Sequence, residues 1–244
     1  MSEWYKDWFD SDEYLDVYAH RDKTDVENLL NLIKNNIKLK KGAQVLDAAC
    51  GAGRFSNLFA KEGFDVTSFD LSLQLLNIAK TQSIENKLNV KYLNSDIREV
   101  PLKGSFYLVL NMFTSFGYFN TDKENFSFIC NANKLLDDDG IFIFDYLNIN
   151  YVTNNLVPHS QKIVNNKTIV EERRINNHRV EKKITIDTLT DKKIFNESVQ
   201  MYSREEIING FKSCGFKVYK IFGDYIGSNF NDETSKRLLI FFTK

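Results

Sequence analysis

The sequence predicts an α/β protein with a doubly wound, seven-stranded, mostly parallel sheet and an antiparallel β insertion. Short apolar runs alternate with helical periodicity up to about residue 150, a glycine-containing turn joins the first run to a helix, and β-like runs without helical spacing follow residue 160. Strands that alternate with helices of about ten residues imply parallel pairing through right-handed crossovers. We therefore expect one domain over residues 1–244.

The first segment, residues 1–22, is predicted to be an aromatic arm. It carries six aromatic side chains among acids, at spacings of three and four residues. That spacing favours a short helix with one aromatic face. Apolar residues then recur at helical spacing from Thr24 to about Ile37, and Thr24 with Glu27 is a candidate capping box.

The alternating region follows from residue 44. The predicted strands are Gln44–Ala48, Phe64–Phe69, Val90–Leu93, Phe106–Met112 and Ile141–Tyr146. The predicted helices between them are Arg54–Lys61, Ser72–Thr81 and Lys123–Leu136, and the acidic stretch 137–140 is predicted to be a turn. These elements make up the parallel part of the sheet.

Residues 155–201 are predicted to be an inserted antiparallel lobe. Three β-like runs, Thr168–Ile175, Arg179–Leu189 and Lys192–Val199, are separated by Asn pairs at 165–166 and 176–177 and by a turn at 190–191. Asn tolerates the left-handed backbone that tight hairpins need. After the lobe, a helix from Ser203 through Cys214, with Glu206 completing a capping box, and strands Phe216–Phe222 and Arg237–Phe242 resume the α/β pattern.

Composition limits the classes of partner. The formal net charge is -1, which argues against an electrostatically driven nucleic-acid or membrane partner. Cys50, Cys130 and Cys214 match no metal spacing and are predicted to be free thiols in a reducing cytoplasm. We expect no metal site, a cytoplasmic location, no membrane association, and a monomer or homodimer.

The segment VLDAACGAGRF at 45–55 carries the chemistry. It lies between a predicted strand and a predicted helix, where glycines allow a sharp turn and a close approach of the backbone to a ligand. A phosphate-binding P-loop requires Lys followed by Ser or Thr, and Arg54–Phe55 stands there instead. The dinucleotide fingerprint fails because Ser56 occupies the place of its third glycine.

This segment resembles motif I of the class I S-adenosylmethionine (SAM)-dependent methyltransferases, with Ala49 where a glycine is often found. The stretches FDVTSFD at 64–70, LNSDIREV at 93–100 and FYLVLNMFTSFGYF at 106–119 resemble later parts of the same family in the right order. The resemblance is to small-molecule-type members with an inserted β lobe. It implies a Rossmann-like fold and SAM as cofactor.

The resemblance also implies a set of site residues. Asp70 would bind the ribose hydroxyls, Asp96 would accept the adenine amino group, and Arg21 is a candidate partner for the cofactor carboxylate. The complete cofactor-binding set is Arg21, Asp47, Ala49, Gly51, Gly53, Asp70, Leu71, Asp96, Ile97, Asn111, Met112 and Phe113.

The acceptor is expected to be a small molecule bound where open α/β sheets bind ligands, at the carboxyl edge of the strands. Candidate substrate residues there are Ser115, Tyr118, Tyr146 and Asp224, and no catalytic residue is assigned. Two alternatives stay open. The first is a nucleic-acid methyltransferase, although the loop from Asn111 to Thr114 lacks the prolines of base-flipping enzymes. The second is a non-catalytic SAM-binding regulatory module.

Overall fold

The computed structural model describes residues 3–18, 23–188 and 190–244. Its helices are Trp4–Phe9 (α1), Glu13–Val17 (α2), Lys23–Asn36 (α3), Arg54–Lys61 (α4), Leu73–Glu85 (α5), Asp122–Asn125 (α6), Ser127–Leu135 (α7), Ile149–Asn154 (α8) and Arg204–Ser213 (α9). Its strands are Gln44–Ala48 (β1), Asp65–Asp70 (β2), Val90–Asn94 (β3), Phe106–Asn111 (β4), Leu136–Leu147 (β5), His159–Val164 (β6), Lys167–Asn176 (β7), Arg179–Asp187 (β8), Lys192–Gln200 (β9), Lys217–Phe222 (β10) and Arg237–Thr243 (β11).

The main sheet of the described chain has seven strands in the order β10-β11-β5-β4-β1-β2-β3. β11 pairs antiparallel with both β5 and β10, and the other neighbours are parallel. The predicted fold class is therefore confirmed. Because β1 lies between β4 and β2, the strand order reverses at β1, and such a switch point opens a crevice at the carboxyl ends of the strands.

Alternate side chains along the central strands pack on opposite faces of the main sheet. In β1, Leu46 belongs to the apolar layer that also contains helices α7 and α9, whereas Val45 belongs to the layer with α3 and α4. A strand that is buried on both faces has an almost continuous apolar sequence. This is why the strands are recognisable as short apolar runs.

Several element boundaries differ from the prediction. The helix predicted for Lys123–Leu136 is two helices, α6 and α7, and the predicted turn at 137–140 lies inside the longer strand β5. The pairing of β4 with β5 shifts register between Phe106 and Leu108, so the acidic stretch is accommodated as an irregularity of the strand. Thr24 lies inside helix α3 and so does not cap it. By contrast, the capping box of Ser203 and Glu206 at the start of α9 is confirmed.

The lobe is a four-stranded antiparallel sheet in the order β6-β7-β8-β9, one strand more than predicted. Its first hairpin turns at Asn165 and Asn166, both with positive φ, as predicted. The second hairpin turns at Asn177 and His178, one residue later than predicted. The register explains the shift, because Asn176 still pairs with Arg179.

The arm packs on one face of the lobe. Trp8 is fully buried against Ile169, Ile184 and Ile186, and its Nε1 donates to Glu197 Oε1 at 2.6 Å. At the arm's other side, Ser72 Oγ donates to Asp10 Oδ1 at 2.9 Å, beside the first turn of α5. The arm therefore joins the lobe to the main sheet.

Cys130 and Cys214 form a disulfide, which corrects the prediction of three free thiols; Cys50 is free. α7 and the end of α9 bring the two Cα atoms to 4.6 Å although the residues are 84 apart in the chain. Cysteine spacing alone could not reveal this contact.

The cytoplasmic location and the monomer or homodimer state remain predictions. Across residues 3–18, 23–188 and 190–244, no helix is long and apolar enough to cross a membrane.

Candidate active site

The candidate site lies at the switch point of the main sheet. Ala48 at the end of β1 pairs with Asn111 at the end of β4, so the chain segments that follow both strands begin side by side. After β1 the backbone turns sharply, and Ala49 and Gly51 have φ of 56° and 53°. Glycine adopts this left-handed conformation without a steric penalty, whereas Ala49 adopts it at some cost in strain.

A cavity of about 460 Å³, here called the inner cavity, opens at this point. It extends along the carboxyl ends of β1, β2 and β4 and is also lined by aromatic rings of the arm. Twelve of the sequence-predicted residues line it: Asp47, Ala49, Gly51, Asp70, Leu71, Asp96, Ile97, Asn111, Met112, Phe113, Ser115 and Tyr118.

Four predicted residues are not among its lining. Gly53 is the N-cap of α4, where an added Cβ would lie 2.7 Å from the Cβ of Ala79, so it faces helix α5. Tyr146 lies within β5, not after it; it is fully buried and its hydroxyl donates to the Gln200 carbonyl. Asp224 lines a second cleft, described below. Arg21 lies outside the described residues.

Asp47 is one of two buried acids that line the inner cavity. It is 2% exposed, and its Oδ2 accepts a hydrogen bond from Ser56 Oγ at 2.6 Å. Burial raises the pKa of Asp47 to about 6, against the opposing effect of the Ser56 hydrogen bonds. Nearby, the buried Oδ1 of Asn111 has no hydrogen-bond donor among the described residues. Two acceptor oxygens at one wall of a cavity suit a ligand that carries N–H donors.

The raised pKa of Asp47 predicts how stability varies with pH. Above pH 3.8 the unfolded chain releases this proton while the folded protein holds it up to about pH 6. The free energy of unfolding should therefore fall as pH rises through that window, by up to about 3 kcal/mol, and be level above it. Urea unfolding at several pH values measures this. Asp47→Asn should remove this component, and identical pH profiles of the two proteins would contradict the prediction.

Asp70 ends β2 on the other side of the glycine-containing turn. Its Oδ2 accepts the Gly51 N–H at 2.7 Å and its Oδ1 accepts the Ser72 N–H at 2.9 Å. Burial raises the pKa of Asp70, and these backbone hydrogen bonds oppose that rise. The carboxylate thus fixes the turn and at the same time lines the inner cavity.

Asp96 is held by Arg98. The guanidinium donates to both carboxylate oxygens, with the shortest contact 2.7 Å from Nη2 to Oδ2. Partial burial alone would raise the pKa of Asp96, but the hydrogen bonds from Arg98 outweigh it and lower the pKa. Arg98 also pairs with Glu3 of the arm and with Glu124, so the arm and this wall of the cavity are linked by charge.

A second cavity, here called the outer cleft, adjoins the inner cavity and has a volume of about 850 Å³. The two share the rings of Phe9, Tyr14, Tyr18, Phe113 and Tyr118. The remaining walls of the outer cleft are largely polar and come from α3, from β9 and from the connection between β10 and β11, where Asp224 accepts the Ser228 N–H.

The sequence did not identify the buried Asp145 carboxylate, which holds the turn at Phe113 and Thr114 beside both cavities. Phe113 and Thr114 both have positive φ, 55° and 64°, and this conformation is strained for Thr114, which is β-branched. Asp145 accepts the Phe113 N–H at 2.8 Å through Oδ2, and it pairs through Oδ1 with Arg237 Nε at 2.8 Å. Tyr225 donates its hydroxyl to the same Oδ2. These residues come from β5, β11 and the preceding loop, so only the folded sheet brings them together.

The described residues hold no group of three or more His, Cys, Asp or Glu side chains that could bind a metal ion.

A Gly-containing turn after β1, an acid at the end of β2 and a cavity along the switch point together define the nucleotide-binding class of Rossmann-like proteins. Residues 45–140 match the model of a methyltransferase domain. This segment of the chain therefore resembles a methyltransferase domain, and it lies on a Rossmann-like sheet.

Several proteins similar to this chain are described as methyltransferases. The protein YqeM of Bacillus subtilis is 32% identical over 108 residues, which are 44% of this chain and 43% of that relative. The alignment therefore spans less than half of that curated relative's length. A SAM-dependent methyltransferase from Clostridium acetobutylicum has a similar structure, with a TM-score of 0.81, 17% identity and 95% coverage of both chains. CalS10 of Micromonospora echinaspora, an amino pentose methyltransferase solved with SAM bound, has a TM-score of 0.70 with 17% identity, over 96% of this chain and 98% of that chain. The structural matches establish the shared fold.

Proposed function

We propose that this protein is an enzyme that transfers a methyl group from SAM, bound in the inner cavity, to a small molecule bound in the outer cleft. The observation that carries the proposal is the adjacency of the two cavities across Phe113 and Tyr118. One cavity has the acids and the glycine-containing turn suited to a nucleoside. The other has room for a second reactant. A non-catalytic binding module would need only the first.

The residues of the inner cavity fit SAM. The Asp47 carboxylate and the unpaired Asn111 Oδ1 are acceptors for an ammonium group. Asp70, at the end of β2, would accept hydrogen bonds from the ribose hydroxyls. Leu71 and Ile97 supply apolar surface for adenine, with Asp96 beside them as an acceptor.

SAM supplies a methyl group that is already activated by a sulfonium centre. The chain therefore needs to orient the acceptor and exclude water, which are its main contributions to such a reaction. The rings shared by the two cavities place aromatic surface between them. An amine, thiol or carboxylate acceptor needs no strong base, and Asp224, which lines the outer cleft together with Asp25 and Glu197, is a candidate base if a hydroxyl is methylated.

Two findings favour a small acceptor. The structurally similar CalS10 is named for an amino pentose, and the outer cleft has the size of a small-molecule site. The formal net charge of -1 argues against the alternative of a nucleic-acid substrate. The test is calorimetry with S-adenosylhomocysteine, followed by a screen of metabolite pools with radiolabelled SAM. We expect micromolar binding, about -8 kcal/mol, and one labelled small product. Binding of NADH without affinity for S-adenosylhomocysteine would contradict the proposal.

Asp70 gives a prediction for the cofactor site. Asp70→Asn should weaken S-adenosylhomocysteine binding by about 1.5–3 kcal/mol, because it removes a charged acceptor. It should also lower the melting temperature of the free protein slightly, since Gly51 and Ser72 donate to different oxygens of Asp70 and an amide offers only one oxygen. The matched control is Asp65→Asn on the same strand, whose carboxylate pairs with exposed Lys91. Unchanged affinity in Asp70→Asn, measured by calorimetry, would show that Asp70 only holds the turn.

A further inference from the structure

Arg179, at the start of β8 in the lobe, has an unusual environment for a charged residue. It is 5% exposed. All six of its hydrogen bonds within the described chain go to uncharged oxygen atoms. Burial lowers the pKa of Arg179, which reflects the cost of removing its charge from water. A buried cation is retained at such a cost only where its donors are satisfied.

Three of those oxygens are successive backbone carbonyls of the loop after β4. Nη2 donates to Gly117 O at 3.2 Å and to Tyr118 O at 3.3 Å, and Nη1 donates to Phe119 O at 3.2 Å. The remaining bonds go to Ser198 and Gln200 of β9, within the lobe. Consecutive carbonyls point at one centre only in a tightly bent chain, so the guanidinium fixes the shape of this loop.

The lobe reinforces the same loop. Gln200 N–H donates to Gly117 O at 2.7 Å, and Gly117 has φ of 87°. A Cβ at Gly117 would approach Gln200 O to 3.0 Å, so the loop and the lobe are in close contact. The loop carries Tyr118, whose ring lines both the inner cavity and the outer cleft. Arg179 itself is not among the residues that line either one.

We propose that Arg179 is a positioning residue for methyl transfer. From the lobe it holds the carbonyls of residues 117–119, and through them it sets the ring of Tyr118 between the inner cavity and the outer cleft. The lobe thereby determines how an acceptor lies against the cofactor, in addition to covering the site. This inference rests on the proposed function for its catalytic consequence, whereas the positioning of Tyr118 can be measured without any substrate.

The test uses the full chain labelled with 3-fluorotyrosine, in which Tyr118→Phe assigns the fluorine resonance of Tyr118. Arg179→Met, which keeps an unbranched apolar stem and removes the charged guanidinium, should shift or broaden that resonance. Arg179→Lys should restore part of the original signal, because an ammonium group can still donate to the loop carbonyls. The matched control is Arg174→Met on the same sheet, where the side chain is 74% exposed and pairs with Glu181. It should leave the resonance unchanged.

Activity is measured on the same variants with the acceptor found in the label screen. Arg179→Met should lower kcat/KM for the acceptor by about tenfold or more, since a small misplacement of reactants has effects of that size. Its dissociation constant for S-adenosylhomocysteine should stay within about threefold of the wild-type value, because the acids that bind the cofactor are elsewhere. If Arg179→Met does not fold, Arg179→Lys provides the comparison, with a smaller expected change.

Two results would overturn the inference: an unchanged Tyr118 resonance in a folded Arg179 variant, or parallel losses of cofactor affinity and turnover. A wild-type protein that fails to bind S-adenosylhomocysteine would refute the proposed function instead. In that case the fluorine resonance still decides whether Arg179 positions Tyr118.

Discussion

Replacing Arg237 with Met should lower the free energy of unfolding by about 3–5 kcal/mol, because it leaves the buried Asp145 carboxylate without its charged partner. Asp145 is fully buried, and its Oδ1 pairs with Arg237 Nε at 2.8 Å. The same carboxylate accepts from Phe113 N–H and Tyr225 hydroxyl. Loss of the guanidinium should therefore also release the strained turn at Phe113 and Thr114, which Arg237 contacts through Thr114 Oγ1.

Chemical denaturation of the variant measures the effect. The control is Lys244→Met, which breaks the ion pair with exposed Asp138 and should change stability by less than about 1 kcal/mol. The double variant Arg237→Met with Asp145→Asn should be more stable than Arg237→Met alone, since it no longer buries an unpaired charge. A double variant that is less stable than the single one would show that the carboxylate contributes mainly through its hydrogen bonds to Phe113 and Tyr225.

Gly53→Ala should lower stability by about 2–4 kcal/mol, from a left-handed backbone and from overpacking. Gly53 has φ of 75°, and a Cβ there would lie 2.7 Å from Ala79 Cβ and 2.9 Å from the Tyr92 hydroxyl oxygen. The matched control is Gly42→Ala, because Gly42 has φ of 78° with no atom within 4 Å of an added Cβ. That variant should lose only the backbone contribution, about 1–2 kcal/mol.

The comparison of the two variants also tests the function of Gly53. The family resemblance assigned Gly53 to the cofactor-binding residues, whereas in the structure Gly53 packs against α5. Thermal unfolding and calorimetry on Gly53→Ala should therefore show a large loss of stability, and any folded fraction should keep its affinity for S-adenosylhomocysteine. A stable Gly53→Ala protein that no longer binds the ligand would support the original prediction.

The parallel part of the fold was predictable because its signals are local. The central strands contain short apolar runs, β2 and β4 end at the polar residues Asp70 and Asn111, and β1 and α4 begin and end as predicted. The carboxyl ends of parallel strands meet at one edge, so Asp47, Asp70 and Asn111 could be placed together before any coordinates were known. The hairpin turn at Asn165 and Asn166 was likewise evident, since Asn is one of the few residues that tolerate positive φ.

The parts that were missed depend on contacts between distant segments. β6 has a polar, half-exposed sequence, and its pairing with β7 is what makes it a strand. Tyr146 was expected at the mouth of the site because β5 was expected to end there, but β5 continues to Leu147 and buries the ring. Arg179 and Arg237 carry no local motif. Their importance comes from carbonyls and a carboxylate that only the assembled sheets provide.

The arm has a consequence for how the chain folds. Trp8 packs against Ile169, Ile184 and Ile186, so its partners follow it by more than 150 positions in the chain. Contacts between such distant positions form slowly, because a long loop must close before they contribute any stability. During synthesis the aromatic face of the arm leaves the ribosome well before the lobe that buries it. Docking of the arm is therefore a late event in folding, and exposed tryptophan with a formed main sheet is the expected signature of the preceding intermediate.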